Sequence, residues 1–370
     1  MRKYYIDNIR WLTVVIVVIY HVIYIYNGVI TDGVIGPFKE VQYQDAFQYA
    51  VYPWFMVLLF VISGMSARYS LEKKTDKEFV KSRTVKLLVP STLGLFAFQW
   101  IMGYYNMAIS NAFDSMLGSM PDTVPPAVKG ISTYLSMVLS GTGVLWFLQV
   151  LWIISVLLII VRKLEKDRLY HLMDKVSGLS AVVLLLLLGI VVLGAAQILN
   201  TPVVPVYRFG IYGVSFLIGY FVLSHDKIIE ELSKYAIPFL VAATGLAVGY
   251  IYCYFGENYA VAPLRDNVFS VSYAWIATLA MLAAMKKWGN RTNSFCNWMA
   301  KKSWGLYVFH YLSLAATAYY LNLYAKEVPA VICYIIVTIM AFGGAFVLYE
   351  LISRIPVLRW LVLGIQKKER

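Results

Sequence analysis

The stretch DNIRWLTVVIVVIYHVIYIYNG, from Asp7 to Gly28, is long and apolar enough to cross a lipid bilayer as one helix. It nevertheless carries Arg10 near its entrance and His21 in its interior. In an α-helix these two residues, eleven positions apart, lie on one face and about 16 Å apart along the axis. Ionisable side chains inside a membrane span are costly and usually face a polar cavity. The stretch therefore predicts a first membrane span with a polar stripe from the bilayer boundary to its middle.

The composition indicates that the whole chain is a membrane protein. Of its 370 residues 60% are hydrophobic and only 14% are charged, whereas a soluble domain has about 25% charged residues. We expect an all-α integral membrane protein, a polytopic bundle of about ten transmembrane helices. The segment 129–143, KGISTYLSMVLSGTG, is either a separate short helix or the entry to the fourth span. The predicted spans are 11–30, 47–67, 87–107, 144–162, 179–199, 207–223, 236–255, 268–285, 303–324 and 329–350.

Lysine and arginine residues are unevenly distributed around these spans. With both termini in the cytoplasm, only five of the 32 fall in outer loops, namely Lys39, Lys129, Arg208, Arg265 and Lys326. This asymmetry follows the positive-inside rule and favours an even number of spans. The net charge of +12 therefore indicates contact with anionic membrane lipid, not with nucleic acid. We expect a multi-pass plasma-membrane protein with one transmembrane domain over residues 1–370 and no appended soluble domain. The sequence leaves open whether it forms a homo-oligomer.

A second histidine, His310, lies eight residues inside the predicted ninth span, about 12 Å deep. A lone membrane histidine is usually explained by helix packing, because its ring donates a hydrogen bond to a neighbouring helix. Two imidazoles at similar depth, one of them sharing a stripe with Arg10, instead favour a polar cavity. Burial keeps an imidazole neutral, so His21 is a candidate general base.

Basic residues crowd the segment after the second span, and most of them are explained as a cytoplasmic anchor. Arg68 ends the second span, and Arg83 and Lys86 lie three positions apart on the approach to the third, so we expect them to share a helix face. With Arg10 they could converge at a cytoplasmic opening. Guanidinium groups in that position suit a polyphosphate ligand.

Two further residues each have two interpretations. Ser63 precedes Gly64 in a pair of small residues that either allows close helix packing or lines a channel. Trp146 is either an interfacial anchor or a stacking surface for a sugar or acyl chain. The three cysteines, Cys253, Cys296 and Cys333, are not spaced as a metal site, and we expect no metal.

Five motifs follow one another along the chain: the Arg10–His21 pair, LLFVISG (58–64), FVKSRTVKLLVP (79–90), LWFLQVL (145–151) and GLYVFH (305–310). In this order they resemble the motifs of the membrane acyltransferase-3 family, and the resemblance runs from Tyr5 to about Glu350. The segments around the first two spans are also similar to the branch that includes periplasmic-glucan succinyltransferases.

The resemblance implies transfer of an acyl group from cytoplasmic acyl-CoA to a hydroxyl of a cell-surface or lipid-linked glycan. Acetyl-CoA is the first expectation for the co-substrate and succinyl-CoA the second. His21 would be the general base or would carry the acyl group transiently. Donor binding would fall to Arg10, Arg68, Arg83 and Lys86, and acceptor positioning to His310 and Trp146. Ser63 would line the channel, and Glu350 would pair with one of the arginines.

Two other classes of function remain open from the sequence. A secondary transporter would also have many spans and intramembrane titratable groups. The predicted spans, however, contain no Asp or Glu except Glu350 at one end, and no matched pair of broken helices is visible. A non-catalytic membrane scaffold, with the histidines as packing residues, is the third interpretation.

Overall fold

A computed structural model describes residues 2–30, 33–176, 179–201 and 204–366 of the chain. In these ranges the protein is helical, with one isolated β-bridge between Asn200 and Arg208 and no sheet. The α-helices are α1 (Tyr4–Tyr24), α2 (Ala46–Leu71), α3 (Asp76–Arg83), α4 (Trp100–Ile109), α5 (Ala112–Gly118), α6 (Pro126–Ser140), α7 (Trp146–Glu165), α8 (Arg168–Met173), α9 (Leu179–Ala195), α10 (Phe209–Phe221), α11 (Asp226–Lys234), α12 (Ala236–Tyr254), α13 (Ala262–Arg265), α14 (Val268–Trp288), α15 (Ser294–Tyr324), α16 (Ala330–Arg354) and α17 (Pro356–Leu363).

Local sequence signals explain where several helices begin. Thr75 and Glu78 form a reciprocal capping box before α3, in which the Thr75 hydroxyl accepts from the Glu78 amide and the Glu78 carboxylate accepts from the Thr75 amide. The Asn267 side chain accepts from the amide of Ser270 at the start of α14. Pro126 and Pro356 occupy the first positions of α6 and α17, where a missing amide hydrogen costs nothing.

Within the described ranges, six helices are long and apolar enough to cross a bilayer. These are α1, α2, α7, α12, α14 and α16, and the shorter helices α9 and α10 are also apolar. All eight overlap predicted spans, but α1 runs from Tyr4 to Tyr24, so the first predicted span, 11–30, was placed too far along the chain. The predicted ninth span lies within α15, a continuous helix of 31 residues. The structure therefore supports an all-α membrane protein, while the count of ten spans and the side of the termini stay predictions.

The predicted third span, 87–107, is not one regular helix. It contains π-helical turns at Thr84–Leu88 and Leu95–Gln99, joined by a turn, and becomes α-helical only in α4. Pro90 explains the first turn, because its ring excludes the carbonyl four residues earlier and supplies no amide hydrogen. The amide of Val89 bonds instead to the carbonyl of Thr84, five residues back.

The segment 129–143 belongs mainly to a separate helix. Helix α6 ends at Ser140, and a 3₁₀ turn, Gly143–Leu145, leads into α7 at Trp146. The first of the two interpretations of this segment is therefore confirmed.

The chain divides into two compact units. The first unit comprises Met1–Val17, Ala46–Ser82 and Val150–Ser303. The second unit comprises Val18–Asp45, Arg83–Gln149 and Trp304–Arg370. Helix α1 is continuous from Tyr4 to Tyr24, so it contributes Arg10 to the first unit and His21 to the second.

In the first unit, α2 and α10 approach each other closely at two glycines. A Cβ atom at Gly64 would lie 1.9 Å from the carbonyl oxygen of Phe216, and one at Gly219 would lie 2.1 Å from that of Val61. The rings of Phe60 and Tyr212 stack beside this contact, with centroids 4.5 Å apart. The packing role predicted for Gly64 is confirmed.

In the second unit, α15 is held on several sides. Tyr307 donates its hydroxyl hydrogen to the carbonyl of Val144, and the Trp304 indole donates to the carbonyl of Leu363 over 3.0 Å. Gly305 allows the ring of Tyr349 on α16 to pack against the α15 backbone. The first half of α15 in this unit, which carries His310, is therefore fixed in position and rotation.

Candidate active site

Two histidines of the second unit form a hydrogen-bonded pair. His310 on α15 is fully buried, and its Nε2 lies 3.2 Å from Nδ1 of His21 on α1. The Nδ1 atom of His310 lies 3.1 Å from the carbonyl oxygen of Leu306 and 2.9 Å from that of Tyr307. His21 is half-buried. Helix α15 thus presents His310 to His21 through its own backbone.

These contacts define the proton positions of a neutral pair. A carbonyl oxygen only accepts, so Nδ1 of His310 must carry the hydrogen and Nε2 of His310 must be the acceptor. The hydrogen shared with His21 therefore belongs to Nδ1 of His21. The second nitrogen of His21, Nε2, then carries the lone pair. An imidazole oriented by a neighbour and presenting a lone pair is the arrangement of a general base.

Aromatic rings surround the pair. The ring of His21 makes edge contacts with Tyr20 and Tyr311, each with centroids 5.1 Å apart, and with Tyr24 at 6.1 Å. The rings leave His21 little freedom to turn, so they reinforce the orientation set by the hydrogen bond.

Trp146 contributes to the same unit at the start of α7. Its ring contacts Phe147, which contacts Tyr307, the residue one turn before His310. Phe147 and Tyr307 therefore connect the ring of Trp146 to the turn of α15 that carries His310.

A second feature, in the first unit, is a cavity of about 710 Å³ beside Arg10, here called the Arg10 cavity. Its walls include Lys3, Arg10, Ser66, Tyr69, Tyr170 and His225. The volume lies within the range of about 300–1,000 Å³ usual for ligand sites.

Arg10 is oriented at this cavity by hydrogen bonds and is still partly exposed. Its guanidinium donates to Asp7 over 3.1 Å and to the hydroxyl of Ser66 over 3.1 Å, and 43% of its side chain is exposed. Asp7 also pairs with Arg2, and Lys3 pairs with Asp226. Carboxylates therefore position Arg2 and Lys3. Arg10 has five N–H groups, so it can still donate to an incoming anion.

A comparison with family models matches residues 3–350 to the acyltransferase domain of the acyltransferase-3 family. The chain belongs to this family. No curated protein and no solved structure matched it. The resemblance derived from the motifs is confirmed, and the protein is a membrane acyltransferase.

Arg68 of the acyltransferase is engaged within the first unit. It donates to Asp167 over 2.8 Å, and its guanidinium carbon lies 3.4 Å from the centroid of the Tyr170 ring. Tyr170 and Glu72, another partner of Arg68 at 3.5 Å, both line the Arg10 cavity. These contacts support the cavity wall, whereas a direct contact of Arg68 with donor stays a prediction.

Arg83 and Lys86 belong to the second unit. Arg83 is half-buried at the end of α3, and Lys86 is exposed in the π-helical turn, with its Nζ 5.9 Å from the ring of Trp304. The sequence predicts a regular helix face at these positions, whereas the chain forms a wider π-helical turn at Thr84–Leu88. Their role in donor binding stays a prediction.

Ser63 and Glu350 are the last two candidate residues from the sequence. Ser63 is half-buried on α2, directly before the packed Gly64. Glu350 is exposed on α16, and its backbone carbonyl accepts from the hydroxyl of Ser353. The channel role of Ser63 and the pairing of Glu350 with an arginine both stay predictions. Within residues 2–30, 33–176, 179–201 and 204–366, no group of three His, Cys, Asp or Glu residues is placed to hold a metal.

The sequence analysis missed His225 and Tyr170 as cavity residues. The His225 ring packs against that of Tyr170 with centroids 3.9 Å apart and a tilt of 31°, and its Nε2 lies 3.1 Å from the Tyr170 carbonyl and 3.3 Å from Asp174. Both residues lie in loops between predicted spans, where sequence periodicity gives no signal. Burial lowers the pKa of His225 most, and the charge of Arg68 lowers it further, against the hydrogen bonds to Val222 and Tyr170 and the charge of Asp174.

The depressed pKa of His225 predicts a loss of stability in mild acid. An unfolded histidine takes up a proton near pH 6.5, but the folded side chain resists it, so protons favour the unfolded state as pH falls below about 6.5. The thermal unfolding midpoint in detergent should fall between pH 7.5 and 5.5. His225→Gln should reduce that fall. His171→Gln, at a side chain 71% exposed, is the control and should behave as wild type. Equal pH slopes for His225→Gln and wild type would contradict the prediction.

Proposed function

We propose that this acyltransferase moves an acyl group from cytoplasmic acyl-CoA to a hydroxyl of a cell-surface or lipid-linked glycan, with Nε2 of His21 as the general base. The observation that carries the proposal is the hydrogen bond from His21 to His310, because it assigns the hydrogen to Nδ1 and the lone pair to Nε2 of a neutral His21. Acetyl is the first choice of acyl group and succinyl the second.

The proposed reaction couples removal of a proton to attack on the thioester. Nε2 of His21 takes the proton of the acceptor hydroxyl while the hydroxyl oxygen attacks the thioester carbonyl carbon. The carbon–sulfur bond then breaks, and the leaving thiolate of coenzyme A takes the proton from the imidazolium. Throughout the step Nδ1–H of His21 stays hydrogen-bonded to His310, which holds the ring in place as its charge changes. If His21 instead carried the acyl group transiently, the same nitrogen would be acylated.

The Arg10 cavity supports the donor part of the proposal. The donor is a polyanion, and Arg10 offers a guanidinium that carboxylate and hydroxyl contacts already orient. Lys73 and Lys227, both exposed, add cations to the same wall. Arg83 and Lys86 are the other cations that we propose for donor binding.

The direction of two helices supports the proposed topology. His21 contacts His310, and residues beyond both of them line a second cavity, called here the Tyr26 cavity after Tyr26 and lined also by Phe38, Leu321 and Lys326. Helices α1 and α15 therefore run in the same direction within the second unit. Parallel first and ninth spans fit ten crossings with both termini in the cytoplasm. The proposal thus describes a multi-pass plasma-membrane enzyme that contacts membrane lipid.

Removal of the base should abolish transfer without unfolding the protein. We expect His21→Ala to lower acetyl-CoA-dependent acyl transfer by about 10²–10⁴-fold, since that is the contribution of a general base. The measurement is release of free coenzyme A in membranes supplied with acceptor. His171→Ala, far more exposed at 71% of its side chain, is the matched control. Turnover by folded His21→Ala at the wild-type rate would contradict the assignment.

Removal of Arg10 should weaken donor binding. Acetyl-CoA at 100 times its dissociation constant should stabilise wild-type protein by about 2.7 kcal/mol, measured as a rise in thermal unfolding midpoint in detergent. Arg10→Ala should lose most of this rise, because an anion then lacks its oriented guanidinium. Arg168→Ala, an exposed arginine of the same unit, should keep it. If acetyl-CoA, succinyl-CoA and free CoA all leave wild-type protein unshifted, the donor assignment is wrong.

A further inference from the structure

The first unit contains a buried cluster of two arginines and one aspartate. The Asp266 carboxylate accepts from Nη2 of Arg208 over 2.7 Å, and from Nε and Nη2 of Arg265 over 3.0 and 2.7 Å. Nη1 of Arg265 also donates to the carbonyl of Pro205 over 2.8 Å. The side chains of Arg208, Arg265 and Asp266 are only 7%, 6% and 11% exposed. The cluster therefore joins the loop before α10 to the end of α13.

This cluster carries more positive than negative charge. Arginine keeps its proton in proteins, so two guanidinium charges face one carboxylate. A small cavity beside the cluster is called here the Arg208 cavity, and among its described lining residues only Arg208 and Arg265 are charged. Both belong to the five basic residues of the predicted outer loops, so the positive-inside rule does not explain them. An unbalanced buried charge is strongly destabilising, so the excess favours an anion at this position.

Arg208 also has a buried hydrogen-bond donor without an acceptor. Its Nε–H finds no hydrogen-bond partner among the residues that the structure describes. Such a donor is costly, because it has lost its water without gaining a new partner. Arg208 directly precedes α10, and Ile211 in the first turn of that helix also lines the Arg208 cavity. The start of a helix favours negative charge, since the dipoles of its amides add there.

The size of the Arg208 cavity limits its occupant to one small particle. About 10 Å³ is open to the centre of a water molecule, which is the room of about one water. A chloride ion is only slightly larger than a water molecule, whereas a phosphate, a sulfate or a substrate carboxylate is too large. A water would accept from Nε of Arg208 but would leave the excess charge unbalanced. Charge and size together therefore favour a monatomic anion.

We propose that the Arg208 cavity binds one chloride ion, which accepts from Nε–H of Arg208 and balances the second guanidinium charge. The ion stabilises the connection between the loop before α10 and the end of α13, because both arginines of that connection then have a counter-charge. The stability of the protein therefore depends on chloride. This site is independent of acyl transfer, so the inference goes beyond the proposed function.

Two measurements on the purified protein in a non-ionic detergent test this inference. The first is equilibrium binding of radiolabelled chloride in sodium gluconate, whose anion is too large for the cavity. The second is the thermal unfolding midpoint as chloride replaces gluconate at constant ionic strength. The variants are Arg208→Lys, which keeps the positive charge but removes the Nε–H, and Arg208→Gln, which also removes the charge. The control is Arg168→Gln, at an exposed arginine of the same unit.

We expect wild-type protein to bind one chloride ion per chain and its unfolding midpoint to rise with chloride along the same saturable curve. Arg208→Lys should raise the dissociation constant of chloride by about tenfold to a hundredfold, the value of one hydrogen bond to a charged group. Arg208→Gln should weaken chloride binding at least as much. Arg168→Gln should bind chloride as wild type does.

Two outcomes would overturn the inference. Wild-type protein without saturable chloride binding would mean that the cavity holds water, and this result does not depend on whether the variants fold. Equal dissociation constants for Arg208→Lys and wild type would mean that chloride binds elsewhere. If neither Arg208 variant folds, bromide replaces chloride in crystals of wild-type protein. An anomalous scattering peak within hydrogen-bond distance of Nε of Arg208 would then support the inference, and its absence there would overturn it.

Discussion

The hydrogen bond between His310 and His21 is the interaction on which the proposed chemistry of this protein depends. An imidazole in the middle of a membrane must find partners, because an unsatisfied polar group there is costly. His310 finds them in the carbonyls of its own helix, at Leu306 and Tyr307. That choice fixes its acceptor nitrogen toward His21. The hydrogen bonds of Trp304 and Tyr307 hold α15 in the rotation at which His310 meets His21. The packing of α15 therefore determines which nitrogen of His21 carries the hydrogen.

Helix α1 carries both parts of the proposed chemistry. Arg10 lies at a charged cavity in the first unit, and His21 lies among aromatic rings in the second. The surroundings of Arg10 and His21 differ because donor binding and proton removal need different environments. A polyanionic donor needs oriented cations with access to water, whereas a base needs a neutral ring with a lone pair on one nitrogen. The continuity of α1 makes the spacing of Arg10 and His21 a property of the sequence itself.

The sequence predicts the parts of this structure that depend on local pattern. Apolar length locates the eight apolar helices that match predicted spans, and spacing alone places Arg10 and His21 on one stripe. It also puts His21 and His310 at similar depth, but it does not give their tautomers, which depend on the rotation of α15. The break in the third predicted span was missed because apolar length outweighed Pro90 in that prediction. The contact of His225 with Tyr170 joins residues 55 positions apart, and no periodicity signals such a contact.

The tautomer of His21 tests the central claim most directly. The chain has four histidines, so ¹⁵N-labelled histidine in detergent-solubilised protein gives a spectrum that His→Gln variants can assign. At pH 7.5 we predict that Nδ1 of His21 is protonated and Nε2 is not, and that His310→Ala converts His21 to a mixture of tautomers. A wild-type His21 with its proton on Nε2 would contradict the account, because the nitrogen assigned as the base would then have no lone pair to offer.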